Sequence, residues 1–573
     1  MNILGITGLG VDPAACLVQD GKIIAMAEEE RFNRLKGSFG LLPEKAMRFC
    51  LNYGKVSLDE IDYIVFPWDA YRYKFYMPYF CLLTYLRRSP KFQTDSFSLK
   101  LVELLKYQPA NIKNSISSMV RKSGVRGRIP PIEFIPHHIA HAAGAFYCSG
   151  FDKAYILVID GSGEDKCTTI FKGDGLQIKE KKCFRIPDSL GWFYQSITEF
   201  LGFLPNRQEG KTMALASYGK YNKEIYSKFK KIISFNKNGD YIFDASYSFL
   251  GKHERGTVFS EKLVKLLKHV RHYSEPIEQI HKDIAFAAQK ILEEITISIV
   301  KNIARFPDYN NKICLAGGVG LNCKMNGTIA AQGYVGDIFI PPTANDAGSA
   351  LGAALYFSKE NGYNPKVKME NAYWGPIFSN IEIEKMLNRL NIKYEKSHQI
   401  EVTAAKLLAD DKILGWFQDR MEIGPRALGA RSILANPTKE WMKNKVNIIK
   451  EREPWRPFSP SLLYEAKDEY LINPKESSFM ALAFDVSKEV KERIPSVVHV
   501  DNTTRAHLVK KEVNPRYWKL INEFKKLTRI PAVLNTSFNI QGEPIVCTPL
   551  DALRTFSTTQ IDYLVMEDFL IYR

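Results

Sequence analysis

Pro136-His137-His138-Ile139-Ala140-His141 places three of the chain's ten histidines within five residues. His137 and His141 are spaced i, i+4, so on a helix their rings share one face, one turn apart. That pairing suits two imidazoles on one divalent metal ion. A strand-like run, Ala154 to Ile159, then leads into Asp160-Gly161-Ser162-Gly163-Glu164. Asp160 can add a carboxylate, and the small residues behind it let backbone N–H groups approach a phosphate. A histidine-rich helix start without metal is the competing reading of the spacing alone.

Other stretches carry chemistry of the same kind. The buried strand Lys312 to Ala316 runs into Gly317-Gly318-Val319-Gly320-Leu321-Asn322. A strand, a diglycine turn and a helix start aim backbone donors at an anion. A strand from Asp337 to Ile340 leads to Asp346, which precedes a small-residue helix, Ser349 to Phe357. Asp160 and Asp346 are thus both expected just past strand ends, where α/β sheets place ligands. In Glu209-Gly210-Lys211, the glycine and lysine can meet a nucleotide; a helix start with a solvated lysine is the alternative.

The last third is rich in braced arginines. Gly424-Pro425-Arg426-Ala427-Leu428-Gly429-Ala430-Arg431 is a turn holding two of them. Lys450-Glu451-Arg452-Glu453-Pro454-Trp455-Arg456-Pro457-Phe458, His499 to Arg505 and Asn535-Thr536-Ser537-Phe538-Asn539 follow. Arginines in short rigid segments fit phosphate forks. Asn535 and Ser537, just after the apolar strand Ala532 to Leu534, can hydrogen-bond a carbonyl or phosphate.

The elements that position these residues read as α/β. A buried strand over 2–7 precedes Asp12. Strands Ala14 to Val18 and Lys22 to Ala27 then form a hairpin through Asp20-Gly21. Glu28-Glu29-Glu30-Arg31 closes it. Strand, acidic residue and hairpin begin the halves of actin-like ATPases, and the strand–Asp–turn pattern repeats at Asp160 and Asp346. Residues 67–130 interrupt with an aromatic crowd: Tyr71, Tyr73, Phe75, Tyr76, Tyr79, Phe80 and Tyr85. That insertion can wall a pocket, bind a partner or form a satellite core. The expected domains are 1–365, with the variable insertion, and 366–573.

Bulk properties narrow the class. With 573 residues, each of two domains can bury a core. The charge of +16 comes from scattered lysines and reads as a solvated basic surface. Nine cysteines form no CxxC pair, which argues for free thiols and against zinc fingers. The start lacks a charged n-region and a long apolar run, so the expected location is cytoplasmic, without a membrane span.

Taken together, Glu28-Glu-Glu-Arg-Phe32, His137-His-x-x-His141, Glu209-Gly-Lys211, Gly317-Gly-Val-Gly-Leu-Asn322, Gly424-Pro-Arg-Ala-Leu-Gly429, Arg452-Glu-x-x-Arg-Pro-Phe458 and Asn535-Thr-Ser-Phe-Asn539 resemble the carbamoyltransferase family of natural-product and nodulation-factor biosynthesis. The resemblance spans essentially the whole chain. It implies a duplicated actin-like ATPase fold similar to tRNA threonylcarbamoyl transferase. An α/β adenylate-forming domain similar to the threonylcarbamoyl-adenylate synthase follows. It further implies that ATP (with Mg²⁺) and carbamoyl phosphate give carbamoyl adenylate in the C-terminal domain. The carbamoyl group then passes to a small-molecule hydroxyl or amine at the metal site of the N-terminal domain.

The implied roles fall on residues of this chain. Lys450, Arg456 and Arg505 match the carbamoyl phosphate positions, and Arg426, Asn535 and Ser537 the nucleotide and carbamoyl clamp. His137, His141, Asp160 and Asp346 match the metal set, iron in the family. Gly161, Lys211, Gly317, Gly318 and Asn322 match an adenylate cradle. The family's usual His-Asp is Val11-Asp12 here. His138 or Asp12 then serves as base, or the acceptor is an amine that needs less base help, or transfer is altered. A tRNA-modifying protein and a non-catalytic ATP-binding regulator are the competing functions. No RNA-binding module stands out, so no nucleic-acid partner is expected; a homodimer is left open.

Overall fold

The computed structural model describes residues 1–75, 78, 105–248 and 258–573. Tyr76, Tyr79, Phe80 and Tyr85 of the aromatic stretch lie outside the described residues. The chain divides into two compact units, Met1–Ile24 with Phe39–Lys368 and Ala25–Ser38 with Met369–Arg573. Where two contiguous domains were expected, the short segment Ala25–Ser38 groups with the second unit.

The first unit contains one fold twice. Strands β1 (Asn2–Thr7), β2 (Ala14–Gln19), β3 (Lys22–Glu28), β4 (Tyr63–Phe66) and β5 (Ile132–Phe134) form a sheet of order β3-β2-β1-β4-β5. Asp20 (φ 48°) and Gly21 (φ 79°) make the tight hairpin turn between β2 and β3. Strands β6 (Lys153–Gly163), β7 (Lys166–Asp174) and β8 (Gln177–Arg185) begin the second copy. A short ribbon of β9 (Ile233–Phe235) and β10 (Tyr241–Phe243) intervenes, and β11 (Lys312–Ala316) and β12 (Asp337–Phe339) complete the sheet, in the order β12-β11-β6-β7-β8.

Each copy is an antiparallel three-strand meander followed by two parallel strands beside the first. This is the duplicated α/β arrangement of the actin-like ATPase fold. The inner strand β6 is buried from Ala154 to Asp160, as expected for a strand covered on both faces.

The duplication positions the chemistry. In the first copy, the helix after the fifth strand is the histidine helix, His137–Cys148. In the second copy, the helix after the fifth strand is Asp346–Glu360. Both are built of small residues where they meet. A Cβ on Gly352 would lie 1.8 Å from the Ala140 carbonyl oxygen, and one on Gly144 would lie 3.4 Å from that of Gly348. Glycine is therefore required for the two helices to bring His141 and Asp346 to one point.

Two local expectations change. Asp160 is not past the end of β6; it lies inside it, where the ladder with β7 shifts register between Ile159 and Gly163. Such an irregularity turns a side chain out of the pleat. The diglycine turn does not open directly into an α-helix: a 3₁₀ turn, Gly318–Leu321, comes first, and the helix Cys323–Ala330 starts after the capping residue Asn322.

The second unit is built on an eight-stranded mixed sheet. Its middle strands are Leu414–Phe417, Arg431–Ala435, Ala532–Ser537 and Ser459–Leu463, in that order. Register sets Ser459 opposite Asn535 and Ser432 opposite Ser537, so the polar candidates gather at one sheet end. Among the described residues, no helix is long and apolar enough to cross a membrane.

Replacing Gly352 with alanine forces backbone apart at the helix crossing. We expect a loss of about 1–3 kcal/mol in stability by chemical denaturation. Gly333→Ala, where a Cβ meets nothing within 4 Å, should stay within about 0.5 kcal/mol of the parent.

Candidate functional site

Glu164 accepts hydrogen bonds from the backbone N–H groups of Asp69 (2.6 Å) and His137 (3.0 Å). A carboxylate at a helix start satisfies an orphan donor and is attracted by the positive end of the helix dipole. This fixes where the histidine helix begins, and with it the direction of both rings.

One ligand atom from each of His137, His141, Asp160 and Asp346 lies within 4.8 Å of the others. His137 Nε2 is 3.0 Å from Asp160 Oδ2, 3.0 Å from His141 Nε2 and 3.7 Å from Asp346 Oδ1. His141 Nε2 is 3.6 Å from Asp346 Oδ1 and 3.7 Å from Asp160 Oδ2. His137 Nδ1 lies 3.1 Å from the Pro67 carbonyl oxygen, which only an N–H can satisfy. That bond sets the tautomer and leaves Nε2 free to be a ligand. Gly318 N–H steadies Asp160 through its other oxygen at 3.1 Å.

The electrostatics match the geometry. Burial opposes charge on His137, yet its bond to Asp160 and the charges of Asp346, Asp160 and Glu164 raise it to about 10. Burial would raise the Asp160 carboxyl, but the His137 bond and the neighbouring imidazoles hold it well below the usual range. Converging ring nitrogens and carboxylates are stable only with a proton or cation between them. Two imidazoles and two carboxylates suit a divalent transition metal, so the donor set fits.

The other candidates of this unit divide. Gly317 (φ 86°) abuts the Ile159 carbonyl, and a Cβ on Gly318 would touch Asp160, so both line the Asp160 bulge. Gly161 is there too, its carbonyl accepting from Ser189 Oγ at 2.7 Å. Asp12 accepts from Asn345 Nδ2 at 2.6 Å, beside Asp346 in the chain. His138 turns away, to Thr169 Oγ1 at 2.8 Å, and burial with the adjacent His137 charge lowers it well below the usual imidazole value. Asn322 exchanges amide hydrogen bonds with Gln289 and caps Met325. Lys211 is buried over the Phe203 ring, 5.5 Å from its centroid.

In the second unit, the candidates form a like-charge cluster. Lys450 is 4% exposed and donates to Asn539 O (2.8 Å) and Oδ1 (2.9 Å) and to the Ser537 carbonyl. Burial, then Arg452, Lys36 and Arg456, push the ammonium well below its usual value. Arg452 lies over Phe458, 4.0 Å from the ring centroid; burial, then Arg456, and also Arg505, oppose its charge, with Glu453 acting the other way. Arg456 is lowered by burial first, against Glu453, 3.5 Å away, with Arg505 adding to the lowering. Arg505 donates to Ser459 Oγ at 3.2 Å and leaves a buried Nε without a partner. Asn535 donates to the Ala427 carbonyl and to Ser461 Oγ, both at 2.9 Å. Cations that repel one another in a desolvated site are an arrangement suited to a polyanion.

Arg431 departs from expectation. It is fully buried and donates to the carbonyls of Gln418 (2.7 Å), Ala430 (3.0 Å) and Pro376 (3.3 Å), with its guanidinium carbon 3.6 Å from the centroid of the Phe417 ring. Its Nη donors are taken up by the backbone of its own unit, which makes it a structural arginine; Arg426 lies in the same turn and is partly exposed. Arg452 and Asn539 stand in the sequence motifs without a role of their own; Asn539 accepts from Lys450, and Arg452 is among the cations that oppose its charge. Ser459 and Ser461, in the strand Ser459–Leu463, belong to none of the sequence motifs.

Substituting His141 with alanine, or Asp160 with asparagine, should weaken Fe²⁺ or Zn²⁺ binding in calorimetry. The loss should exceed the roughly 10–100-fold that an outer-shell partner costs. His138→Ala should retain the metal.

A family description of the carbamoyltransferase N-terminus matches residues 2–355, and one of the carbamoyltransferase C-terminus matches 405–573. An uncharacterized protein, sll1178 of Synechocystis, is 35% identical, covering 100% of this chain and 96% of its own. Nodulation protein NolNO of Sinorhizobium fredii is 34% identical over 98% of this chain and 78% of its own. Among solved structures, component A of the (R)-2-hydroxyglutaryl-CoA dehydratase of Acidaminococcus fermentans aligns with 63% of this chain and 98% of its own, at 14% identity and a TM-score of 0.34. With both of its domains matched in order, this chain belongs to the carbamoyltransferase family.

Proposed function

We propose that the chain is an ATP- and carbamoyl phosphate-dependent carbamoyltransferase with one chemical step in each unit. The observation that carries this reading is the cluster of buried Lys450 with the part-exposed Arg452, Arg456 and Arg505, in which neighbouring cations oppose the charges of Lys450, Arg452 and Arg456, with Glu453 as the nearby carboxylate. Two anionic substrates and a pyrophosphate leaving group supply the missing negative charge.

In the second unit, water cleaves carbamoyl phosphate to carbamate and phosphate. A carbamate oxygen attacks the α-phosphorus of ATP, the bond to the β-phosphate oxygen breaks, and carbamoyl adenylate and pyrophosphate form. Arg456 and Arg505 bind the phosphoryl oxygens and offset charge as it builds during attack. Lys450 holds the Ser537–Asn539 turn against the nucleotide. Enclosure excludes water from a weak and short-lived nucleophile.

In the first unit, an acceptor hydroxyl or amine attacks the carbamoyl carbon and AMP departs. Gly161, Gly317 and Gly318 offer backbone approach to the adenylate beside Asp160. His137, His141, Asp160 and Asp346 would hold a divalent metal, iron by family resemblance, which supplies Lewis-acid stabilisation and a template when bound. Asp12 takes the acceptor proton in this reading, which is supported by His138 being turned to Thr169 and by the Asp12 contact with Asn345, next to Asp346 in the chain. The acceptor is a small molecule, and Val11 at the family's histidine position favours an amine, which needs less base help once neutral.

Incubation with ATP and carbamoyl phosphate should release pyrophosphate; its absence with every candidate acceptor would refute adenylation. Arg456→Ala should lower the rate of release about 10²–10³-fold. His141→Ala should leave pyrophosphate release intact and abolish transfer to the acceptor, separating the two steps. Val11→His should change acceptor range or rate, and no change would count against an amine acceptor.

A further inference from the structure

The run Glu28-Glu29-Glu30-Arg31-Phe32 has no part in the chemistry above, and the sequence places it at the end of an N-terminal hairpin. The fold assigns it to the second unit. There it grips one residue, Gly424, by both backbone groups. The Gly424 N–H donates to Glu28 Oε1 at 2.6 Å, and Arg31 Nη2 donates to the Gly424 carbonyl at 2.8 Å. Arg31 is 3% exposed and is itself held by Glu28 (3.4 Å) and Glu30 (2.8 Å). Gly424 has φ 90°, so it turns the chain sharply just before Arg426. Beyond Arg426, Glu422 Oε1 accepts from the N–H groups of Leu428 (2.7 Å), Ala430 (3.3 Å) and Arg431 (3.2 Å). The arginine turn is thus pinned at both ends by carboxylates.

The same segment holds a second loop. Arg34 donates to the carbonyls of Ile545 (2.6 Å) and Pro544 (2.8 Å), and Lys36 donates to that of Glu543 (3.4 Å). The Glu543 carbonyl also accepts from Asn539 Nδ2 at 2.6 Å, and Asn539 in turn holds Lys450. Phe32 lies between the two loops, packed on Met421, Ile545 and Cys547.

We infer that Ala25–Ser38 is a positioning strap for the cation site, with Glu28, Arg31 and Arg34 fixing the 421–431 and 539–547 loops in the geometry that receives a polyphosphate. A buried Arg–Glu pair is a poor source of net stability, because desolvation offsets much of its attraction. What it provides is a fixed arrangement, and a binding constellation needs its supporting shell held within a fraction of an ångström. The inference rests on the adenylation reading for its substrate, but the strap can be tested without turnover.

The test uses the full chain, with pyrophosphate as probe in calorimetry and ATP in the release assay. Arg34→Gln should weaken pyrophosphate binding and raise the KM for ATP together, roughly 10- to 100-fold, the scale of a misplaced binding group. Its kcat, melting temperature and metal content should stay close to the parent's. Arg34→Lys, which keeps one donor head, should recover part of the loss. Unchanged pyrophosphate affinity, or a kcat that falls only with the folded fraction, would overturn the strap. If Arg34→Gln does not fold, Glu28→Gln gives the same reading, and hydrogen exchange at residues 424–431 must quicken there. A parent chain that binds pyrophosphate but releases none from ATP refutes adenylation, and the affinity ratio alone then decides the strap. A parent chain that does not bind pyrophosphate overturns both.

Discussion

The absence of a side chain at Gly352 is the constraint on which the first unit depends. With the Ala140 carbonyl 1.8 Å from where a Cβ would stand, the histidine helix and the Asp346 helix touch backbone to backbone. Only at that separation do His137 and His141 on one helix meet Asp346 on the other. The two helices follow the fifth strands of the two copies, so the fold's internal repeat supplies the pairing. Asp160 completes the cluster from the first strand of the second copy, turned out by a break in its ladder. The candidate metal site is therefore a product of duplication, close packing and one irregularity.

The second unit solves a different electrostatic problem. Its cations, buried at Lys450 and partly exposed at the arginines, are set against each other, a state that costs stability until an anion arrives. The scaffold absorbs that cost with carbonyl and carboxylate partners around the cluster. Arg431, Glu422, Asn447 and the strap carry out this structural work, while Arg456 pairs with Glu453 and Arg505 reaches Ser459 from partly exposed positions. The distinction between arginines that build the site and arginines that face a ligand is one of burial and partners, not of residue type.

Much was legible beforehand. The i, i+4 histidines lie on a helix, the glycine-rich turn follows a strand, and the Asp20-Gly21 hairpin has its expected backbone. Each rests on local chemistry: a side-chain period, a turn residue or a helix start. Less legible were the exact place of Asp160 within β6, the 3₁₀ turn before Asn322 and the burial of Arg431. All three depend on neighbours distant in the chain, which shift a register or use up a donor.

The sequence by itself determined the kinds of element, the repeated strand–Asp–turn pattern and the residue types of both candidate sites. It did so because side-chain periodicity and turn chemistry act over a few residues. Only the tertiary structure decided that Glu28 and Arg31 serve Gly424, 396 and 393 positions away, instead of the hairpin they close. A hydrogen bond of that span leaves no periodic trace in either segment, because its two partners are selected by where the fold delivers them.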